Sequence, residues 1–135
     1  HQWRFMPCMW FEFFPDSYNY GVGMFHAEPS DLAVFREILL NNQDEFKYAL
    51  RQMDIVGAVP FINSFKKDKP GTENIDEDLR SFYNSRYFGF SYSDYDMKKL
   101  IDGSIEEELR YAIRAFTPMY RFLLKITDEI YSKGE

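Results

Sequence analysis

Thiols and imidazoles are almost missing from this sequence: one cysteine, Cys8, and two histidines, His1 and His26, in 135 residues. A lone cysteine closes no internal disulfide, which points to a reducing compartment, the cytoplasm. Cys8 lies beside Pro7 without the partner of a Cys-x-x-Cys motif, so it is expected to be a small buried filler. His1 and His26 form no recurring ligand spacing with it, and no metal site is expected. Positive charge is also short. Sixteen Lys and Arg against 22 Asp and Glu leave a net charge of −6, the wrong sign for a nucleic-acid surface. No apolar run reaches the ~18 residues of a membrane helix, and no signal peptide opens the chain. Gly21-Val22-Gly23 begins like a dinucleotide loop but lacks the third glycine. A phosphate-cradling P-loop and a Gly-x-Ser-x-Gly nucleophile elbow are absent too, so no cofactor is implied.

Aromatic residues are what the chain has in excess, with 14 Phe and 10 Tyr. So many rings either fill a core or face a partner. They concentrate in the stretch from Met9 to Pro29, MWFEFFPDSYNYGVGMFHAEP, which reads as two strands joined by a Pro15-Asp16-Ser17 turn and leading into a helix. Alternation sets Met9, Phe11 and Phe13 on one face and Trp10, Glu12 and Phe14 on the other. On the return strand Tyr18, Tyr20, Val22, Met24 and His26 alternate with Asn19, Gly21, Gly23, Phe25 and Ala27. A three-residue loop sets Phe11 across from Gly21 and Met9 across from Gly23. A four-residue loop shifts that pairing. Gly21 and Gly23 then either accommodate a packed neighbour or form the floor of a ligand groove.

Downstream, Ser30 is read as the N-cap of a helix near 31–41, with Leu32, Phe35 and Leu39 at helical spacing. A second helix near 43–53 carries Phe46, Ala49, Leu50 and Met53. A short strand is expected within 61–65, a short helix over 75–83, and a strand over 87–92. A short helix through Met97 and Ile101 is stopped by Gly103, and Ser104 with Glu107 forms a capping box for the longest helical pattern. Pro118 falls inside that pattern. Either the helix kinks there, or Thr117 caps a new helix with Pro118 as its first residue. Glu106, Arg110 and Arg114, spaced by four, read as a solvated face, with an acidic partner as the alternative.

One grouping points to a ligand. Gly21, Gly23 and His26 lead into the helix start near Ser30, and Arg36 is among the few cations close in sequence. Free backbone donors at a helix N-terminus plus an arginine suit a small anion. The competing reading makes His26 a polar strand-end residue and Arg36 a surface residue paired with a nearby acid.

Four stretches carry a family resemblance: FEFFPDSYNYGVGMFHA from Phe11 to Ala27, FREILLNNQDEFK after Pro29, LRSFYNSRYFGF, and AFTPMYRFLLK near the end. In that order they resemble the bacterial "domain of unknown function 2461" proteins over nearly the whole chain. The resemblance implies an α+β domain in a cytoplasmic setting, and the family has no assigned activity. Its upstream arginine-rich signature does not occur here, so the chain is expected to be the C-terminal portion of a member, a single domain portion. The resemblance also implies a neighbour strand upstream of Met9. A strand edge without its neighbour is a template for pairing, so association with another copy through the hairpin edge is expected.

Together these readings predict an antiparallel, aromatic-rich sheet packed against several helices, ending in a long Pro-interrupted helical segment. The functional expectation is a protein of unknown activity that binds a small anionic ligand with the help of upstream residues. The alternative is a non-catalytic protein–protein interaction domain.

Overall fold

The computed structural model describes residues 5–133. The hairpin forms as β1 (Pro7–Phe13) and β2 (Tyr18–Met24), antiparallel, with a four-residue loop whose Phe14 N–H donates to the Ser17 carbonyl at 2.9 Å. Phe13 therefore faces Tyr18, Phe11 faces Tyr20, Trp10 faces Gly21 and Cys8 faces Gly23. This replaces the pairing of Phe11 with Gly21 that a shorter loop imposes. The longer loop brings Phe11 onto the side of the tyrosines, where its ring stacks on Tyr18 at 5.9 Å and on Tyr20 at 6.3 Å. The shorter loop would give up those contacts.

β4 (Ser85–Asp94) lies beside β2, and β3 (Val59–Ser64) lies beyond β4. The sheet order is β1-β2-β4-β3, antiparallel throughout. One face buries Tyr18, Tyr20, Val22, Met24, Phe88 and Phe90. Against it pack α1 (Pro29–Asn41), α2 (Gln43–Ile55) and α5 (Ser104–Lys133), through Phe35, Phe46, Phe116 and Phe122. Phe46 sits at the centre, edge-on to Phe88 at 6.0 Å and to Phe122 at 5.1 Å. The opposite face carries Gly21, Gly23 and Gly89 under the rings of Trp10, Phe25 and Phe61. A four-stranded antiparallel sheet with its helices packed on one face is an α+β architecture.

Several local expectations change in detail. Glu28, not Ser30, caps α1: Pro29 takes the first helical position, and the buried Asp31 carboxylate accepts the Glu28 N–H at 2.9 Å. The stretch expected to form one short helix over 75–83 divides into a 3-10 turn, Glu77–Leu79, and α3 (Arg80–Tyr83), and a separate 3-10 turn, Thr72–Asn74, precedes it. Gly103, at φ 82°, ends α4 (Lys98–Asp102), as expected of a residue without a Cβ. The start of α5 is held by Asp102, whose carboxylate accepts the Ser104 N–H at 2.9 Å and its hydroxyl at 2.7 Å. α5 then runs as one helix of 30 residues with Pro118 inside it. Thr117 is no N-cap: its hydroxyl donates backward to the Ile113 carbonyl at 2.7 Å. Cys8 is exposed rather than a buried filler, because the pairing turns it to the glycine-bearing side of an edge strand.

Candidate functional site

The residues singled out for an anion sit in different surroundings. Gly21 and Gly23 are buried in β2, with Trp10 over the first and Phe25 against the second. His26 lies exposed in the turn after β2, at φ 60°, and Arg36 is half-buried on α1. The start of α1 is already occupied. Glu28 accepts from the third helical amide while Asp31 accepts from Glu28, so two carboxylates stand where an anion would approach. The Arg110 side chain pairs with Glu106 at 2.7 Å on an exposed stretch of α5, in line with a solvated face.

The densest polar constellation among the described residues lies elsewhere, where β2, β4, α4 and α5 converge. Lys99 Nζ bridges Asp94 Oδ2 at 2.6 Å and Glu108 Oε1 at 2.9 Å. The Tyr18 hydroxyl sits between both acids, 3.0 Å from Glu108 and 3.2 Å from Asp94. Tyr20 donates to Glu108 at 2.9 Å and Tyr92 to Asp94 at 3.2 Å. The Asp94 and Glu108 side chains are 14% and 22% exposed, so these bonds are only partly screened by water. Lys99, then the Asp96 amide, holds the Asp94 carboxyl down at about 2. Burial, then the nearby carboxylates, pushes the Tyr18, Tyr20 and Tyr92 phenols above their ordinary range. Asp94, then Glu108, raises the Lys99 ammonium. The arrangement is a clasp that locks α4 and α5 onto the end of the sheet.

Sequence reasoning missed this clasp. One signal was legible: Glu108 stands four residues before Ala112 and so sets a carboxylate in line with the buried stripe of α5.

Two clefts flank this region. The first, of 260 Å³, lies between β1 and α5; it is nearly all apolar and is lined by Met9, Trp10, Phe11, Leu109, Ile113 and Phe116, among others. The second, of 230 Å³, lies between the end of α2, Tyr20, Tyr92 and the Glu108–Ala112 turn of α5.

The fold is that of an α+β domain with one helical layer over an open antiparallel sheet, its edges at β1 and β3. The chain belongs to the conserved hypothetical protein family, domain of unknown function 2461, whose match spans residues 2–122. No curated protein and no solved structure matches it. Among the described residues no helix is long and apolar enough to cross a membrane.

Proposed function

We propose that this chain is a non-catalytic interaction domain that joins β1 to the β1 of a second copy. The contrast between the two sheet edges carries this reading. At the β3 edge Pro60 removes a backbone donor, and a register shift between Asn63 and Ser64 interrupts the ladder. Both features discourage a further strand. From Cys8 to Phe13 β1 has neither, its one charge is Glu12, and Met9 and Phe13 remain 37% and 63% exposed. Among the described residues β1 pairs only with β2, and its outer side is where a further strand would add to the sheet.

The surface also complements itself. Antiparallel pairing that keeps odd positions opposite odd positions gathers Met9, Phe11 and Phe13 of both copies on the helical side. There Met9 and Phe11 line the apolar cleft between β1 and α5, which the second copy's side chains would face. The small-anion reading draws less support, because carboxylates already fill the start of α1. A single exposed thiol, Cys8, suits a reducing cytoplasm.

Sedimentation equilibrium tests the proposal. The native chain is expected to dimerise with rising concentration. Met9→Lys, which charges the edge, is expected to weaken that dimer by about tenfold or more while leaving thermal unfolding nearly unchanged. A monomer at every concentration, or a dimer indifferent to Met9→Lys, overturns it.

A further inference from the structure

The cleft at the end of α2 has chemistry of its own, independent of the β1 edge. It is lined by Tyr20, Tyr92, Tyr111, Glu108, Ile55 and Val56. We infer that this cleft binds a quaternary ammonium group.

Three sources of negative potential converge on it. The first is aromatic. Tyr20 and Tyr92 lie 5.3 Å apart, centroid to centroid, and Tyr111 adds a third ring at the rim. Tyr20 is 4% exposed and stacked against Phe11 and Tyr18, so the rings a cation can reach are those of the half-buried Tyr92 and the exposed Tyr111. The second source is ionic. Asp94 and Glu108 against the single charge of Lys99 leave the clasp with one net negative charge, and Glu108 itself lines the cleft. The third is the end of α2. Ile55 and Val56 bring the negative pole of a 13-residue helix to the cleft, and its last turn holds no basic residue.

Saturation of the clasp sets which cation fits. Asp94 Oδ2 already receives Lys99, Tyr18 and Tyr92, and Glu108 already receives Lys99, Tyr18 and Tyr20. Three bonds leave Glu108 at most one further acceptor site for the three N–H donors of a primary ammonium, and Lys99 already fills the position between the two acids that such a group would seek. A quaternary ammonium has no N–H to satisfy. It asks only for negative potential and apolar contact, which the tyrosine rings, Ile55 and Val56 supply.

The group reaches the cleft either as a free small molecule or as the trimethylated lysine of a polypeptide, and the same titration separates these sources. Four probes are added to the full chain and followed by amide chemical shifts and calorimetry. They are choline, its neutral isostere with carbon in place of nitrogen, free lysine, and a short peptide carrying trimethyllysine. Choline or the trimethyllysine peptide is expected to bind about tenfold or more tighter than the isostere and lysine, with shifts at Tyr20, Tyr92 and Val56. The tighter of the two identifies the source.

Tyr111 is 56% exposed, so substitutions there spare the fold. Tyr111→Phe is expected to keep binding, and Tyr111→Leu to weaken it by about fivefold or more with unchanged thermal unfolding. Equal binding of choline, peptide and isostere, no shift with either quaternary probe, or full affinity in Tyr111→Leu overturns the inference.

Discussion

The indole of Trp10 lies across Gly21, its partner in the β1–β2 ladder, so closely that a Cβ on Gly21 would come within 2.3 Å of the ring. On its other side the same Cβ would meet the Phe90 carbonyl oxygen at 2.2 Å. The ring is a side chain that can move; the carbonyl belongs to β4 and cannot move without breaking the sheet. Gly21→Ala is therefore expected to cost about 2–4 kcal/mol in chemical denaturation, at or above the upper end of overpacking. Trp10→Ala in the same chain is expected not to restore it. Full rescue by the smaller side chain would show that the indole alone excludes a Cβ.

A second expectation concerns acid. Lys99 holds Asp94 at about 2 in the folded chain, against an ordinary value of 3.8. A carboxyl lowered by folding adds stability above its unfolded value and loses it as pH falls through the folded one. Part of the acid-induced loss in melting temperature should thus fall between about pH 4 and pH 2. Asp94→Asn should lower stability at neutral pH and flatten that limb. If the variant loses stability as steeply as the native chain over this interval, the assignment fails.

Alkali acts on the same clasp with the opposite sign. The Tyr18, Tyr20 and Tyr92 phenols and the Lys99 ammonium all have folded values raised above their ordinary ones, 10.0 for the phenols and 10.5 for the ammonium. Their contribution is complete below those values and disappears as pH rises beyond them. The three phenolates are expected to form only as the chain unfolds. Ultraviolet titration alongside circular dichroism checks this, and phenolate signal from these residues in a folded chain would contradict it.

The hairpin and the first two helices were legible because their signals are local. Phe46, Ala49, Leu50 and Met53 needed only the helical period to reveal the buried face of α2. Loop length was not legible, since Pro15, Asp16 and Ser17 suit three- and four-residue turns alike. The choice is made by stacking of Phe11 on Tyr18 and Tyr20, a tertiary gain. The clasp was further out of reach. Tyr18 and Glu108 are 90 positions apart and meet only once β4 inserts beside β2. Nor does the sequence distinguish the edge strands until that order, β1-β2-β4-β3, is known.

His26 carries a smaller but sharper prediction. It is the one non-glycine residue at positive φ among the described residues, at 60°, and its side chain is exposed. His26→Gly is expected to be neutral or stabilising by up to about 1 kcal/mol, since glycine adopts that geometry without steric cost. His26→Val, branched at Cβ, is expected to destabilise by about 1–2 kcal/mol. Thermal denaturation of the pair decides it, and equal stability of the two variants would remove strain from the account.

The most direct test of the proposed association is hydrogen exchange at the backbone of β1 as protein concentration is raised. Those amides of Cys8 to Phe13 that do not bond to β2 should exchange rapidly in dilute solution. They should become protected together as dimer forms, and stay unprotected in Met9→Lys. A dimer that leaves these amides exchanging freely would contradict pairing through this edge.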